Sequence, residues 1–351
     1  MMYLAIFVIL VTLSYSDPRK LYVPVSLALF IFIAFRFETG CDWSGYFNQY
    51  QVQGSRSFYA AIEDPEPIWN LVMYFQTALD IPYPWLNVLS AAVFFVGVHH
   101  IAKRQSSPFT YLVLLFPILM INMPMSAVKQ ATAIGLICFA FTAFSEKKAF
   151  RFVAVTVMAA LIHNSAAIFL LLSPLVVGEV TQRRLVFAAL LALPGMAALL
   201  TTEGGELATT RYVDSGVDAA GAIYRVLLLG FTGVGYLYLR KRGWVADEGK
   251  FSRLTFVGSI MMIVLLAILP LSTVIADRFG YYLIPIQAII FANLRFSHLP
   301  YLRWVIVSSP FIILLITFGV WTIYSGHFNS CYVPYKSWLF GFPEGYYSIY
   351  R

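Results

Sequence analysis

The amino-acid sequence predicts an all-α polytopic membrane protein, and three observations carry that prediction. Hydrophobic residues make up 60% of the chain and charged residues only 12%, where a soluble domain carries about a quarter charged. The apolar residues fall in continuous runs, among them Leu21–Phe35, Phe109–Ile121, Phe256–Leu269 and Trp304–Tyr324, whereas the strands of a membrane barrel would alternate apolar and polar residues. Basic residues gather in short loops between the runs. A backbone in lipid must satisfy its own hydrogen bonds, so the runs read as helices, roughly 10–13 of them crossing the bilayer.

Taken in order, Met1–Tyr15 is the first span. Its positive charges, in Asp17-Pro18-Arg19-Lys20, follow the apolar run instead of preceding it as in a signal peptide. The positive-inside rule puts in the cytoplasm Arg19-Lys20, Lys103-Arg104, Lys147-Lys148 with Arg151, Arg183-Arg184, Arg240-Lys241-Arg242 and Arg295 with Arg303. The N-terminus is then outside. Outer loops fall at about 37–83 and 201–221 and an outer tail at about 325–351, within a single transmembrane domain, 1–351. Ile68–Leu79 is too short to cross and reads as an outer or re-entrant helix. Phe152–Val177 begins and ends beside basic loops, so it reads as two half-helices meeting at His163-Asn164-Ser165, with one long span as the alternative. The net charge of +7 follows from the inner loops; no basic–aromatic patch points to nucleic acid. Cys41, Cys138 and Cys331 lack metal-ligand spacing. Cys41 and Cys331 both fall on the outer side, where a disulfide persists, and Cys138 lies in a span.

Ionisable residues in or beside a membrane are costly, so each is a functional candidate. Arg36 ends the second span on the outer side, against the inside bias; snorkelling is its bland reading. Asp42 and Tyr46 follow at i and i+4 on one face, with Gly40 allowing the turn; helix capping is the alternative for Asp42. Lys129-Gln130 opens a span where a lysine opposes the helix dipole, which a bound anion would explain. His163 is the one histidine deep in an apolar segment. Arg211-Tyr212 and Arg225 are further anion candidates, and Arg278 shares a helix face with Tyr282, although Asp277 and Arg278 could simply pair. The set is rich in cations. Arginine grips phosphate oxygens through two bonds, and Trp43, Tyr46, Trp69 and Trp85 offer faces for sugars. Together they suit a lipid-linked diphosphate sugar.

The order Arg36-x-x-x-Gly40-x-Asp42-x-x-x-Tyr46, then Glu66-Pro67, Lys129-Gln130, His163-Asn164-Ser165 and Arg278 before Tyr282 resembles the EpsG family. That family is a branch of the Wzy-type polymerases of bacterial O-antigen, capsule and exopolysaccharide. Lys129 departs from the arginine expected there, keeping the charge but losing the two-pronged fork. The resemblance implies a fold like the C-type membrane glycosyltransferases and a multi-pass enzyme of the bacterial inner membrane, active at its periplasmic face. It would transfer an undecaprenyl-diphosphate-linked glycan to another lipid-linked repeat unit, without cofactor or metal. A chain-length regulator is a further partner of that setting. His163 and Asp42 are the catalytic candidates, the base being open between them. Arg36, Tyr46, Glu66, Lys129, Gln130, Arg211, Arg278 and Tyr282 are the candidates for binding diphosphate or sugar. A flippase of lipid-linked oligosaccharides, an O-antigen ligase and a membrane acyltransferase are the alternatives.

Overall fold

The computed structural model describes residues 1–15, 19–191, 221–245, 249–293 and 300–343. Helix dominates among them, and their one sheet has two short strands. Among the described residues five helices are long and apolar enough to cross a membrane: Pro84–Ala102, Val128–Ser145, Ala222–Lys241, Thr273–Asn293 and Val307–Tyr324. Shorter apolar helices accompany them, in keeping with the all-α polytopic architecture. The chain divides into two compact units, one made of Met1–Cys138, Met158–Asn164 and Trp304–Arg351, the other of Phe139–Val157 and Ser165–Arg303.

The first unit starts with α1 (Met2–Ser14) and α2 (Tyr22–Ala34), followed by strand β1 (Arg36–Phe37). Three helices too short to span come next: α3 (Trp43–Gly54), α4 (Phe58–Ile62) and α5 (Pro67–Ala78). Then come α6 (Pro84–Ala102) and α7 (Pro108–Leu115), the latter passing into a π-helical turn over Phe116–Met120, and α8 (Val128–Ser145). Local chemistry sets several of these starts. A proline opens each of α5, α6 and α7, where its missing N–H and fixed φ cost nothing. Ser107 caps α7 by accepting the Thr110 N–H. A Cβ on Gly97 of α6 would lie 2.0 Å from the Gly135 carbonyl oxygen of α8, so these backbones touch where only glycine fits.

The tail closes on the start of this unit. Strand β2 (Lys336–Ser337) pairs antiparallel with β1, Arg36 opposite Ser337 and Phe37 opposite Lys336. The Trp338 N–H donates to the Phe35 carbonyl at 3.0 Å and the Gly40 N–H to the Cys331 carbonyl at 2.7 Å. Cys41 and Cys331 form a disulfide across 290 residues. An apolar cluster lies beneath, built from Phe37, Trp43, Trp69, Met73, Tyr83, Leu86, Val128, Ile162 and Trp338. It ties β1, α3, α5, the starts of α6 and α8, the 162 region and the tail into one packed body.

Phe152–Val177 does break near its middle. An α-helix runs over Ala149–Ala160, and a 3₁₀-helix begins at Asn164 and continues to Leu175. A 3₁₀ run of that length is unusual. In the second unit Ala222–Lys241, Ser252–Ile268 and Thr273–Asn293 pack against one another. Polar contacts pin them: Tyr236 to Thr255 through their hydroxyls at 2.8 Å, and Gln287 Nε2 donating to Thr232 Oγ1 at 2.7 Å.

Candidate functional site

The densest chemistry in the first unit centres on Glu66. Its position follows from the backbone: Glu66 is the residue before Pro67, the N-cap of α5, and the residue preceding a proline is held away from helical geometry. The Glu66 N–H donates to Asp64 Oδ1 at 3.1 Å, and the Glu66 carbonyl accepts from Asn70 Nδ2 at 3.1 Å. The carboxylate thus points from a backbone fixed on both sides.

Each carboxylate oxygen is engaged. Lys129 Nζ, from the first turn of α8, donates to Oε2 at 2.8 Å. His163 Nδ1 lies 2.7 Å from Oε1, which also accepts the Asn164 N–H at 3.2 Å. The break after Ala160 makes this possible, because a continuous helix would keep the Asn164 N–H for a carbonyl one turn back. Ile68 N–H donating to the Leu161 carbonyl at 3.1 Å fastens the break to α5. The three side chains are 14–17% exposed, screened from bulk water but reachable.

Burial raises the Glu66 pKa. The hydrogen bond from His163 and the Lys129 charge outweigh it and bring the carboxyl down to about 2. Glu66 is therefore ionised at any working pH and only accepts. The proton of its bond with His163 must sit on Nδ1, so neutral His163 presents a bare Nε2 lone pair. Among the described residues Nε2 has no hydrogen-bond partner. Lys129, over the Trp69 ring at 6.0 Å, balances the carboxylate. A carboxylate holding an imidazole in one tautomer is the arrangement of a general base.

The other expected residues fall in different surroundings. Arg36 is 1% exposed. Its Nε donates to the carbonyls of Thr39 and Met125, both at 2.9 Å, and Nη2 to Asn87 Oδ1 at 3.0 Å. The guanidinium braces the loop from inside. Gly40 sits in that loop at φ +104°, where a Cβ would meet the Met125 carbonyl. Asp42 is exposed and stands at the N-cap of α3 without a side-chain capping bond. Tyr46 packs edge-on against Trp69; burial and the Asp42 charge push its phenol up, so it stays protonated. Gln130 is buried at the start of α8. In the second unit Tyr282 is buried and shares a 3.0 Å hydroxyl bond with Ser165, and Arg278 lies in the second turn of Thr273–Asn293. Arg211 lies outside the described residues.

The structure fills in the surroundings of three groups. Trp43 and Trp69 are buried in the apolar cluster, so they support the fold from beneath and present no open face to a sugar. Asp277 takes Arg225 as its partner: the guanidinium donates from Nε at 2.7 Å and Nη2 at 2.8 Å to the two carboxylate oxygens. Sequence alone offered Asp277 its neighbour Arg278. Lys129, an anion-binding candidate, meets an anion of the chain itself, Glu66. Finally, Cys41, His327 and Cys331 bring ligand atoms within 4.8 Å of one another, but the two sulfurs are bonded together, and metals take thiolates.

With this geometry in place, comparison with known proteins identifies a family. The family model described as EpsG family covers residues 19–337, nearly the whole chain. No curated protein and no solved structure matches.

Proposed function

The chain belongs to the EpsG family, a Wzy-like polymerase family, and on that footing we propose that it is a glycosyltransferase polymerising undecaprenyl-diphosphate-linked repeat units at the periplasmic face of the bacterial inner membrane. The observation that carries the reading is the Glu66–His163 pair. In the proposed step His163 Nε2 takes the proton of an acceptor sugar hydroxyl. The hydroxyl oxygen bonds to the anomeric carbon of the donor glycan, and the bond from that carbon to the diphosphate breaks. Undecaprenyl diphosphate departs with the bonding pair. Glu66 holds the tautomer that can accept a proton and stabilises the imidazolium that results. Lys129 keeps the Glu66 carboxylate ionised, and its two N–H donors beyond the one it gives Glu66 serve as hydrogen-bond donors to substrate oxygens. Arg36 acts at a distance, as the brace of the loop that leads to α3.

Deletion followed by gel analysis of surface polysaccharide tests the reading. Products ending at one repeat unit are expected, since units would still be made and exported but not joined. Complete absence of polysaccharide would overturn it in favour of a flippase or ligase. The purified chain in lipid should also lengthen lipid-linked units unaided, and no elongation by active preparations would likewise overturn it.

A further inference from the structure

Next to Glu66 the first unit holds a cleft of about 350 Å³, within the size range of small-molecule sites, roughly 300–1,000 Å³. Its lining is rich in side-chain amides. Helix α3 contributes Gln49 and Gln53, one turn apart on a face, with Asn48 beside them, and α5 contributes Asn70. Arg56 and Asp64, paired at 3.5 Å, form one edge, and Lys129 reaches in from α8.

Two features separate this cleft from an ordinary polar groove. Gln53 is 1% exposed, yet its Nε2 has no hydrogen-bond partner. Buried amide donors are almost always satisfied, so an unpaired one lining a cleft marks a place for an acceptor. The wall is also built into the catalytic group: Asp64 accepts the Glu66 N–H, Asn70 donates to the Glu66 carbonyl, and Lys129 bonds the Glu66 carboxylate. Whatever fills the cleft touches residues that fix Glu66.

The chemistry of the lining selects the occupant. Each amide offers donors and an acceptor together, which matches a sugar hydroxyl, itself donor and acceptor. Charge argues against a diphosphate here. Arg56 and Asp64 cancel, and the Lys129 charge is answered by Glu66. We infer that this cleft is the acceptor-sugar subsite, taking the terminal sugar of the incoming repeat unit through hydrogen bonds from Gln53, Asn70 and the rim amides Asn48 and Gln49. The inference rests on the polymerase reading and names where its acceptor binds.

The test uses the full-length protein in lipid nanodiscs and, as probe, the lipid-free oligosaccharide repeat unit released from the host's own surface polysaccharide. Binding is read by calorimetry and elongation with lipid-linked units on the same preparations. Gln53→Leu keeps the volume and removes the amide; it should weaken oligosaccharide binding about tenfold, as expected for losing one buried hydrogen bond, and raise the acceptor KM in proportion with little change in kcat. Gln49→Ala at the exposed rim does not disturb packing and should weaken binding about threefold. Wild-type affinity in both variants, or no binding of the oligosaccharide to the wild-type chain, overturns the subsite, even where elongation proceeds and the polymerase reading stands. Binding that depends on Gln53 in a chain that elongates nothing keeps the cleft as a sugar site and overturns the polymerase reading instead.

Discussion

Glu66 and Asp277 are both largely buried carboxylates paired with a cation, and they are built differently. Asp277 gives both oxygens to one guanidinium, Arg225, in a fork that fixes two helices of the second unit. Glu66 divides its oxygens among an ammonium, an imidazole and a backbone N–H. The first arrangement occupies both its oxygens on a single partner and reads as a fastening. The second leaves an imidazole nitrogen and two ammonium hydrogens uncommitted among the described residues. A carboxylate shared among unlike donors positions chemistry; one matched to a single fork positions helices.

The strongest way to break this comparison is to remove His163. His163→Gln keeps a hydrogen-bonding side chain and loses the base, so elongation should fall by about two to four orders of magnitude while the purified protein keeps its melting temperature. A near-normal rate would leave His163 a structural role and move attention to Asp42. Asp277→Asn should do the reverse. Breaking a buried pair by removing one charge costs roughly 3–5 kcal/mol, so yield and thermal stability should drop while the rate per folded molecule holds. A rate loss there without a stability loss would erase the distinction.

Glu66→Gln comes next in size. The amide oxygen still accepts from His163 Nδ1, but the charge that stabilises the imidazolium and holds Lys129 is gone. Elongation should fall about a hundredfold, less than for His163→Gln. Equal losses would mean that the pair acts as a single unit.

The pH dependence sharpens the same point. Glu66 is lowered from 4.5 to about 2. A lowered carboxyl contributes stability that is fully present above its unfolded value and is lost as pH falls through the folded one. The Glu66 contribution is therefore constant above about pH 5 and should disappear only on acidification toward pH 2. Thermal melts at pH 7 and pH 5.5 should show the same difference between wild type and Glu66→Gln. A difference that shrinks over that interval would show Glu66 taking up a proton much earlier.

The smallest effect is expected from Lys129→Arg. Charge is kept, the partner is one carboxylate oxygen, and elongation should stay within about threefold of wild type. A large loss would mean that the compact ammonium itself is needed.

Much of this site was legible one residue at a time. Apolar runs gave the helices, the polar triplet His163-Asn164-Ser165 marked a break within Phe152–Val177 that the structure places at residues 161–163, and Gly40 gave the turn that its positive φ requires. Lys129 and His163 were each out of place enough to be singled out, and Glu66 entered only through the Glu66-Pro67 pair of the family resemblance. Their union was not legible, because the pairs are separated by 63 and 97 residues and no periodicity links a loop carboxylate to a helix start and a helix break. Lys129 read as an unanswered cation for that reason. Arg36 is a different case: an arginine at a span end looks the same in sequence whether it faces a ligand or, as here, the Thr39 and Met125 carbonyls. The Gln53 amide gave no signal, since glutamine in a short polar helix is ordinary.

The clasp between residues 36–41 and 331–338 also orders events in time. Cys331, Ser337 and Trp338, which hold the Arg36–Cys41 loop in place, emerge from the ribosome some three hundred residues after it. Until they arrive, β1 has an open edge and Cys41 an unspent thiol. An incomplete chain therefore carries every residue of the Glu66 group and lacks the latch that steadies the approach to α3. Pairing of β1 with β2 and oxidation of Cys41 with Cys331 thus follow the synthesis of the Glu66 group.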